Sequence, residues 1–156
     1  MYLTVIPGAA AAAPIRKDNA MIELINTAVQ TVPVGQSVVY NSTAVRSSCG
    51  KERHREGSAF VTLLPPGRFL VTFSANIAVP TGETVGEVSL GITQDGEVLG
   101  GSLMRATPAA VEEYFNVSTQ HYVDTYCQCC VNVGVQNTGT IPVLVDNPNI
   151  TVVRVC

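Results

Sequence analysis

The chain has 156 residues and a formal net charge of −3, and only 13% of its residues are charged, about half of the roughly 25% found in an ordinary soluble domain. A mildly acidic balance without a basic cluster excludes an electrostatic nucleic-acid surface, whose phosphates demand grouped Lys and Arg, and no apolar run reaches the roughly 18 residues that span a bilayer. One domain with a core of its own is expected. The missing charge is explained either by surface that further copies of the chain cover or by a monomer with a Ser/Thr/Asn exterior.

The first 20 residues differ in composition from the rest. Tyr2, Leu3, Val5 and Ile6 form a short apolar piece, followed by Pro7-Gly8, an alanine run and Pro14. A secretory signal places its positive residues before the apolar stretch, whereas Arg16 and Lys17 come after it here, so no signal peptide is assigned. Two readings stand level: an edge strand with a linker, or an arm in which Tyr2, Leu3, Val5, Ile6 and Pro7 dock on a partner or a neighbouring subunit. The chain divides into an arm at 1–20 and a domain at 21–156.

From Met21 onward short apolar runs alternate with turn signals. Strands are predicted at 22–28, 37–40, 59–64, 69–79, 85–93, 98–104, 114–123, 127–136, 141–145 and 150–155. The stretch 69–79 is the predicted centre: Phe69, Val71, Phe73, Ala75, Ile77 and Val79 alternate with Leu70, Thr72, Ser74, Asn76 and Ala78, and a period of two marks a half-buried strand. Pro65-Pro66-Gly67 before it reads as a turn in which glycine supplies a left-handed backbone. Asp95-Gly96 suits the two positive-φ positions of a type I′ hairpin, and Asn137-Thr138-Gly139 and Asn147-Pro148-Asn149 read as further turns. The mixed-sign run 51–56 reads as a solvated loop, and only 107–113 offers a helical turn. About ten strands without crossover helices give an all-β antiparallel jelly-roll sandwich.

The central stretch also carries a resemblance. Gly67-Arg68-Phe69-Leu70-Val71-Thr72-Phe73-Ser74-Ala75 resembles the Pro-Gly-x-Tyr-x-Phe-x-x-x-Ala strand of the complement globular head and tumour necrosis factor superfamily. Phe60-Val61-Thr62-Leu63, Ser89-Leu90-Gly91-Ile92 and the closing 150–155 segment fall where that family has strands. Pro33-Val34-Gly35-Gln36-Ser37-Val38-Val39-Tyr40 is similar to the opening strand of the bacterial and phage branch, found at the tips of spore-surface and phage fibres. The resemblance implies a TNF-like fold and a homotrimer. The chain departs from the family in lacking a collagen stalk and in its charged 49–57 loop. Ligand contacts do not carry over, since they belong to loops rather than to the fold.

Chemistry-bearing residues are few. Cys127, Cys129, Val131, Val133 and Val135 share one parity, so the two cysteines point inward with the valines and Cys130 points outward. Cys127 and Cys129 would sit about 6.6 to 6.8 Å apart in an extended chain, at the limit of disulfide reach. Any bridge among Cys49, Cys127, Cys129, Cys130 and Cys156 therefore joins different strands or subunits, and an odd count leaves one thiol over. A zinc site from Cys49, His54, Cys127 and Cys129 is the sharper alternative, but it lacks paired C-x2-C spacing. Small thiols packed as hydrophobes are favoured, and no metal or cofactor is expected. His121 shares the parity of Phe115 and Val117 and reads as a packing or interface residue; adjacent Glu112 and Glu113 diverge in any regular element and make no carboxylate pair. Asn41, Asn116 and Asn149 match the glycosylation pattern. No hydrolase, metalloprotease, P-loop or dinucleotide motif occurs, and no enzyme activity is expected.

The expected function is that of a phage virion structural protein: a capsid decoration or fibre-tip knob, trimeric, held to a capsid or fibre protein by the N-terminal arm, with a glycan or host-surface ligand as its target. A surface module without a signal fits a particle assembled inside the cell. The alternatives are a bacterial spore-coat or cell-surface adhesion knob and a secreted ligand of the complement-head type.

Overall fold

The computed structural model describes residues 20–48, 50–125 and 130–156. Their strands are β1 (Met21–Ile25), β2 (Gln30–Val32), β3 (Ser42–Val45), β4 (Glu52–His54), β5 (Val61–Leu63), β6 (Arg68–Ala78), β7 (Val88–Gln94), β8 (Glu97–Val98), β9 (Met104–Ala106), β10 (Phe115–Asp124), β11 (Val131–Asn137) and β12 (Val143–Arg154). They form two antiparallel sheets packed face to face. Sheet A runs β10-β6-β12-β1-β3, with β2 also paired to β12; sheet B runs β4-β5-β11-β7-β8, with β9 also paired to β7. No α-helix occurs among the described residues.

The period-two reading of the central strand holds. Phe69, Val71, Phe73 and Ile77 are fully buried and Ala75 nearly so, and they meet Val61, Leu63, Leu90, Ile92, Val131, Val133 and Val135 of the facing sheet in one core. β6 is flanked by β10 and β12, so its backbone donors and acceptors have ladder partners on both sides.

The sequence segmentation needs correction in several places. The segments 141–145 and 150–155 are halves of the single strand β12, and the predicted Asn147-Pro148-Asn149 turn is a bulge inside it. Asn147 lies at φ 51°, the register against β6 shifts between Asp146 and Asn149, and the buried set changes from Val143 and Val145 to Pro148, Ile150 and Val152. One extra residue has flipped the parity, and Pro148 sits where a strand tolerates a missing N–H. The predicted strand 98–104 is broken into β8, a 3-10 turn at Gly100–Ser102 and β9. The buried Ser102 hydroxyl accepts from the Ile92 N–H at 2.8 Å and donates to the Leu99 carbonyl at 2.6 Å, replacing ladder partners there.

Residues 37–40 make no strand; Ser37 forms an isolated bridge to Gln136, and the Val38 N–H donates to the Val135 carbonyl at 2.8 Å. The helical turn expected at 107–113 is instead two bends at 109–110 followed by a turn at 111–112, stapled by Glu113, whose carboxylate accepts from the Ala109 and Ala110 N–H groups at 2.8 and 3.1 Å. The run taken for a solvated loop contains β4, paired in register with β5 from Glu52↔Leu63 to His54↔Val61. The Asp95-Gly96 hairpin is as expected, with φ of 50° and 85° between β7 and β8.

Candidate functional site

The outward face of sheet A is ordered by the ladder registers. Tyr122 of β10 pairs with Leu70 of β6, Leu70 with Val153 of β12, and Val153 with Met21 of β1. Their chain neighbours Val123, Val71, Val152 and Ile22 are buried, so these four side chains stand together on the outer face. They form an apolar row across four strands, with Tyr122 58% exposed and the other three half-buried. On one side the row is bounded by the Arg68–Asp124 ion pair, whose Arg68 Nε lies 2.7 Å from Asp124 Oδ1. The other side is polar, with Gln120, Thr72, Thr151 and Glu23 in the next rank and Asn116 donating to Asn76 at 3.0 Å beyond.

β10 is the edge of this sheet, and aromatic residues gather at its start: Tyr114 and Phe115 are 42% and 41% exposed. Burial, reinforced by Asp146 and Glu112, pushes the Tyr114 phenol above its ordinary range. The hydrogen bond from Arg68, with its charge, holds the Asp124 carboxyl below the usual carboxylate range. An apolar row on a sheet face, with exposed aromatics at the far end of the same edge strand, is suited to protein contact rather than to chemistry.

The residues singled out from the sequence are scattered. The arm residues Tyr2, Leu3, Val5, Ile6 and Pro7, and Cys49, Cys127 and Cys129, lie outside the described residues. Cys130 and Cys156 are both exposed. His54 lies at the opposite edge of the sandwich, on β4, with Nδ1 3.0 Å from the Phe60 carbonyl. His121 turns its Nδ1 to the Tyr122 carbonyl at 2.8 Å and packs its ring beside Gly101. Glu112 takes a hydrogen bond from Thr81 at 3.0 Å while Glu113 closes its own turn, so the two carboxylates diverge as expected. Asn116 and Asn149 are engaged by Asn76 and Glu23. Among the described residues no group of three or more His, Cys, Asp or Glu side chains is placed to hold a metal ion, and no helix is long and apolar enough to cross a membrane.

The sequence matches no protein-family model and no curated protein. Solved structures match it well. The globular domain of the zebrafish complement 1qA protein superimposes with a TM-score of 0.63 at 11% identity, over 85% of this chain and 94% of that one. The fold is the TNF-like jelly roll. The Eiger TNF of S. frugiperda matches with a TM-score of 0.63 at 8% identity, covering 87% of this chain and 92% of its own. Vertex protein P5 of phage PRD1 matches with a TM-score of 0.52 at 10% identity, covering 88% and 98%. This jelly roll thus has neighbours among complement and TNF domains and in a phage vertex protein. The apolar row escaped the sequence reading because its members are far apart in the chain; only the registers bring them into line.

Proposed function

We propose that the chain is a structural knob of a phage particle: a homotrimer of TNF-like jelly rolls, held to a capsid or fibre protein by the N-terminal arm and binding rather than catalysing. The observation that carries this reading is the apolar row Tyr122, Leu70, Val153 and Met21 on the outer face of sheet A, whose edge strand β10 exposes Tyr114 and Phe115 at its far end. A face and an edge on the same molecule suit a heterologous contact, in which the edge of one copy meets the face of the next, and such contacts make a ring where the rotation between copies closes. Three copies are the number the family resemblance implies. Three sites on one rigid body gain apparent affinity through effective concentration.

The likeness to the PRD1 vertex protein supports the phage setting. A second reading, a secreted or cell-surface ligand, is supported by the likeness to the complement and Eiger TNF domains. The test is to probe purified phage particles, host surface and culture medium with an antibody raised to the chain. Recovery with the particles, lost when residues 1–14 are deleted, is the expected result. Recovery only from the medium or the host surface overturns the phage assignment.

A further inference from the structure

The outer face of sheet B carries a cleft of about 440 Å³ along β11, a volume within the roughly 300–1,000 Å³ of small-molecule sites. Gly134 and Gln136 alternate with the core residues Val133 and Val135, so they face outward, and buried Thr93 of β7 pairs with Gly134 and closes the floor. The cleft lies between two turns held to the ends of β11. The Gly35 N–H donates to the Asn137 carbonyl at 3.1 Å, and the Asp95 N–H, in the hairpin that carries Gly96, donates to the Asn132 carbonyl at 2.8 Å. Phe60 forms one wall. Its ring comes down on β11 because position 134 is glycine; a Cβ there would lie 2.9 Å from Phe60 Cδ1. The Phe60 N–H donates to Ser58 Oγ at 3.2 Å and its carbonyl accepts from His54 Nδ1 at 3.0 Å, which fixes the backbone that carries the ring. The residue is nevertheless 40% exposed.

The polar part of the lining is uncharged. The side-chain amides of Gln36 and Gln136 and the Ser37 hydroxyl line the cleft, and none of the three has a hydrogen-bond partner among the described residues. No Lys, Arg, His, Asp or Glu stands among the described residues that line it, which disfavours a phosphate, a nucleotide or another ionic ligand. An extended peptide is disfavoured as well: β11 is paired to β5 on one side and β7 on the other, so the floor offers no free ladder to an added strand. An exposed aromatic residue beside neutral amide and hydroxyl groups suits a ligand that carries an apolar C–H face and a rim of hydroxyls on one ring. A pyranose has both: its C–H face packs on an aromatic ring, and an amide donates to and accepts from its hydroxyls. We propose that this cleft binds a neutral hexopyranose, with Phe60 as the platform and Gln36 and Gln136 as hydroxyl partners. The proposal rests on the reading of the chain as a binding module and names a ligand class for it. The cleft is on sheet B, whereas the apolar row is on sheet A, so it requires neither the trimer nor the phage setting.

The test is a titration of the full chain, read in ¹H–¹⁵N spectra of the side-chain amides. The probes are the methyl α-pyranosides of glucose, galactose, mannose and N-acetylglucosamine, with N-acetylneuraminic acid as the charged control. The signals of Gln36 and Gln136 are identified by their loss in Gln36→Ala and Gln136→Ala. The expected result is saturable movement of both amides with at least one neutral glycoside at millimolar concentration. Affinity should fall about tenfold in Phe60→Ala, as for an aromatic anchor, and be kept in Phe60→Tyr. Amides that stay still through the whole panel overturn the proposal. So does saturation by the charged sugar alone, or an affinity unchanged in a folded Phe60→Ala variant. The wild-type amide readout decides the matter even where a variant does not fold. Solution mass and recovery with particles report on the trimer and the phage setting separately, so a failure of this site is distinguishable from a failure of either.

Discussion

Gly67 shows how a residue can be read correctly as special and for the wrong reason. The turn pattern assigned it a left-handed backbone, yet it is absent from the positive-φ glycines. It is needed because a Cβ there would lie 2.9 Å from Arg154 Nε and 3.3 Å from the Cys156 carbonyl, with Arg154 itself held by a 3.0 Å bond to the Pro66 carbonyl. Gly67→Ala should cost about 1–3 kcal/mol through overpacking, seen as a lowered denaturation midpoint. Gly96→Ala, at φ 85° with open space around it, should cost about 1–2 kcal/mol by backbone strain alone. Equal stability of the Gly67 variant and the wild type would show that the chain end yields freely. Charge at this scale is also testable. Asp124 titrates below its ordinary value because Arg68 binds its charged form, so the pair stabilises above the unfolded carboxylate value of about 3.9 and is lost as pH falls through the lower folded value. Being exposed, it is screened by salt. Arg68→Met should return Asp124 toward its ordinary value in an NMR titration. No such pairing was legible in the sequence, since its partners are 56 residues apart.

At the scale of elements, legibility followed burial on one face. β6 was readable because its inner face is apolar and its outer face mostly polar, a contrast local sequence can carry. Phe73→Ala, at 0% exposure in the middle of that strand, should destabilise the domain by about 3–5 kcal/mol in chemical denaturation; a loss under 1 kcal/mol would mean that β6 is not the centre of the core. β12 was split in two because its bulge shifts the parity by one residue, and a reader of alternation sees two strands where a ladder sees one. β4 was missed for the opposite reason: its inward residues, Glu52 and His54, are as polar as Arg53 between them, so no period shows. The same polarity that hid the strand leaves Glu52 Oε1 and His54 Nε2 buried without partners. Ser102 broke a predicted strand through a buried hydroxyl, a tertiary contact with no sequence signature.

For the whole molecule, the jelly roll was legible from strand spacing and the absence of crossover helices, and the low charge pointed to covered surface. Which surface was not legible, because Tyr122, Leu70, Val153 and Met21 come from four strands and only the sheet aligns them. Placing a charge in this row should separate assembly from folding. Leu70→Lys should lower the oligomer mass while leaving the circular dichroism spectrum unchanged, since Leu70 is only half-buried in the chain itself. Tyr122→Lys, at 58% exposure, should act in the same direction. The account rests most on the solution mass of the unmodified chain, measured by sedimentation equilibrium with and without reductant. It predicts three times the chain mass of 16.5 kDa in both conditions, because the contact is apolar rather than disulfide-bonded. A species of 16.5 kDa at micromolar concentration would contradict it and leave the apolar row without a self-partner.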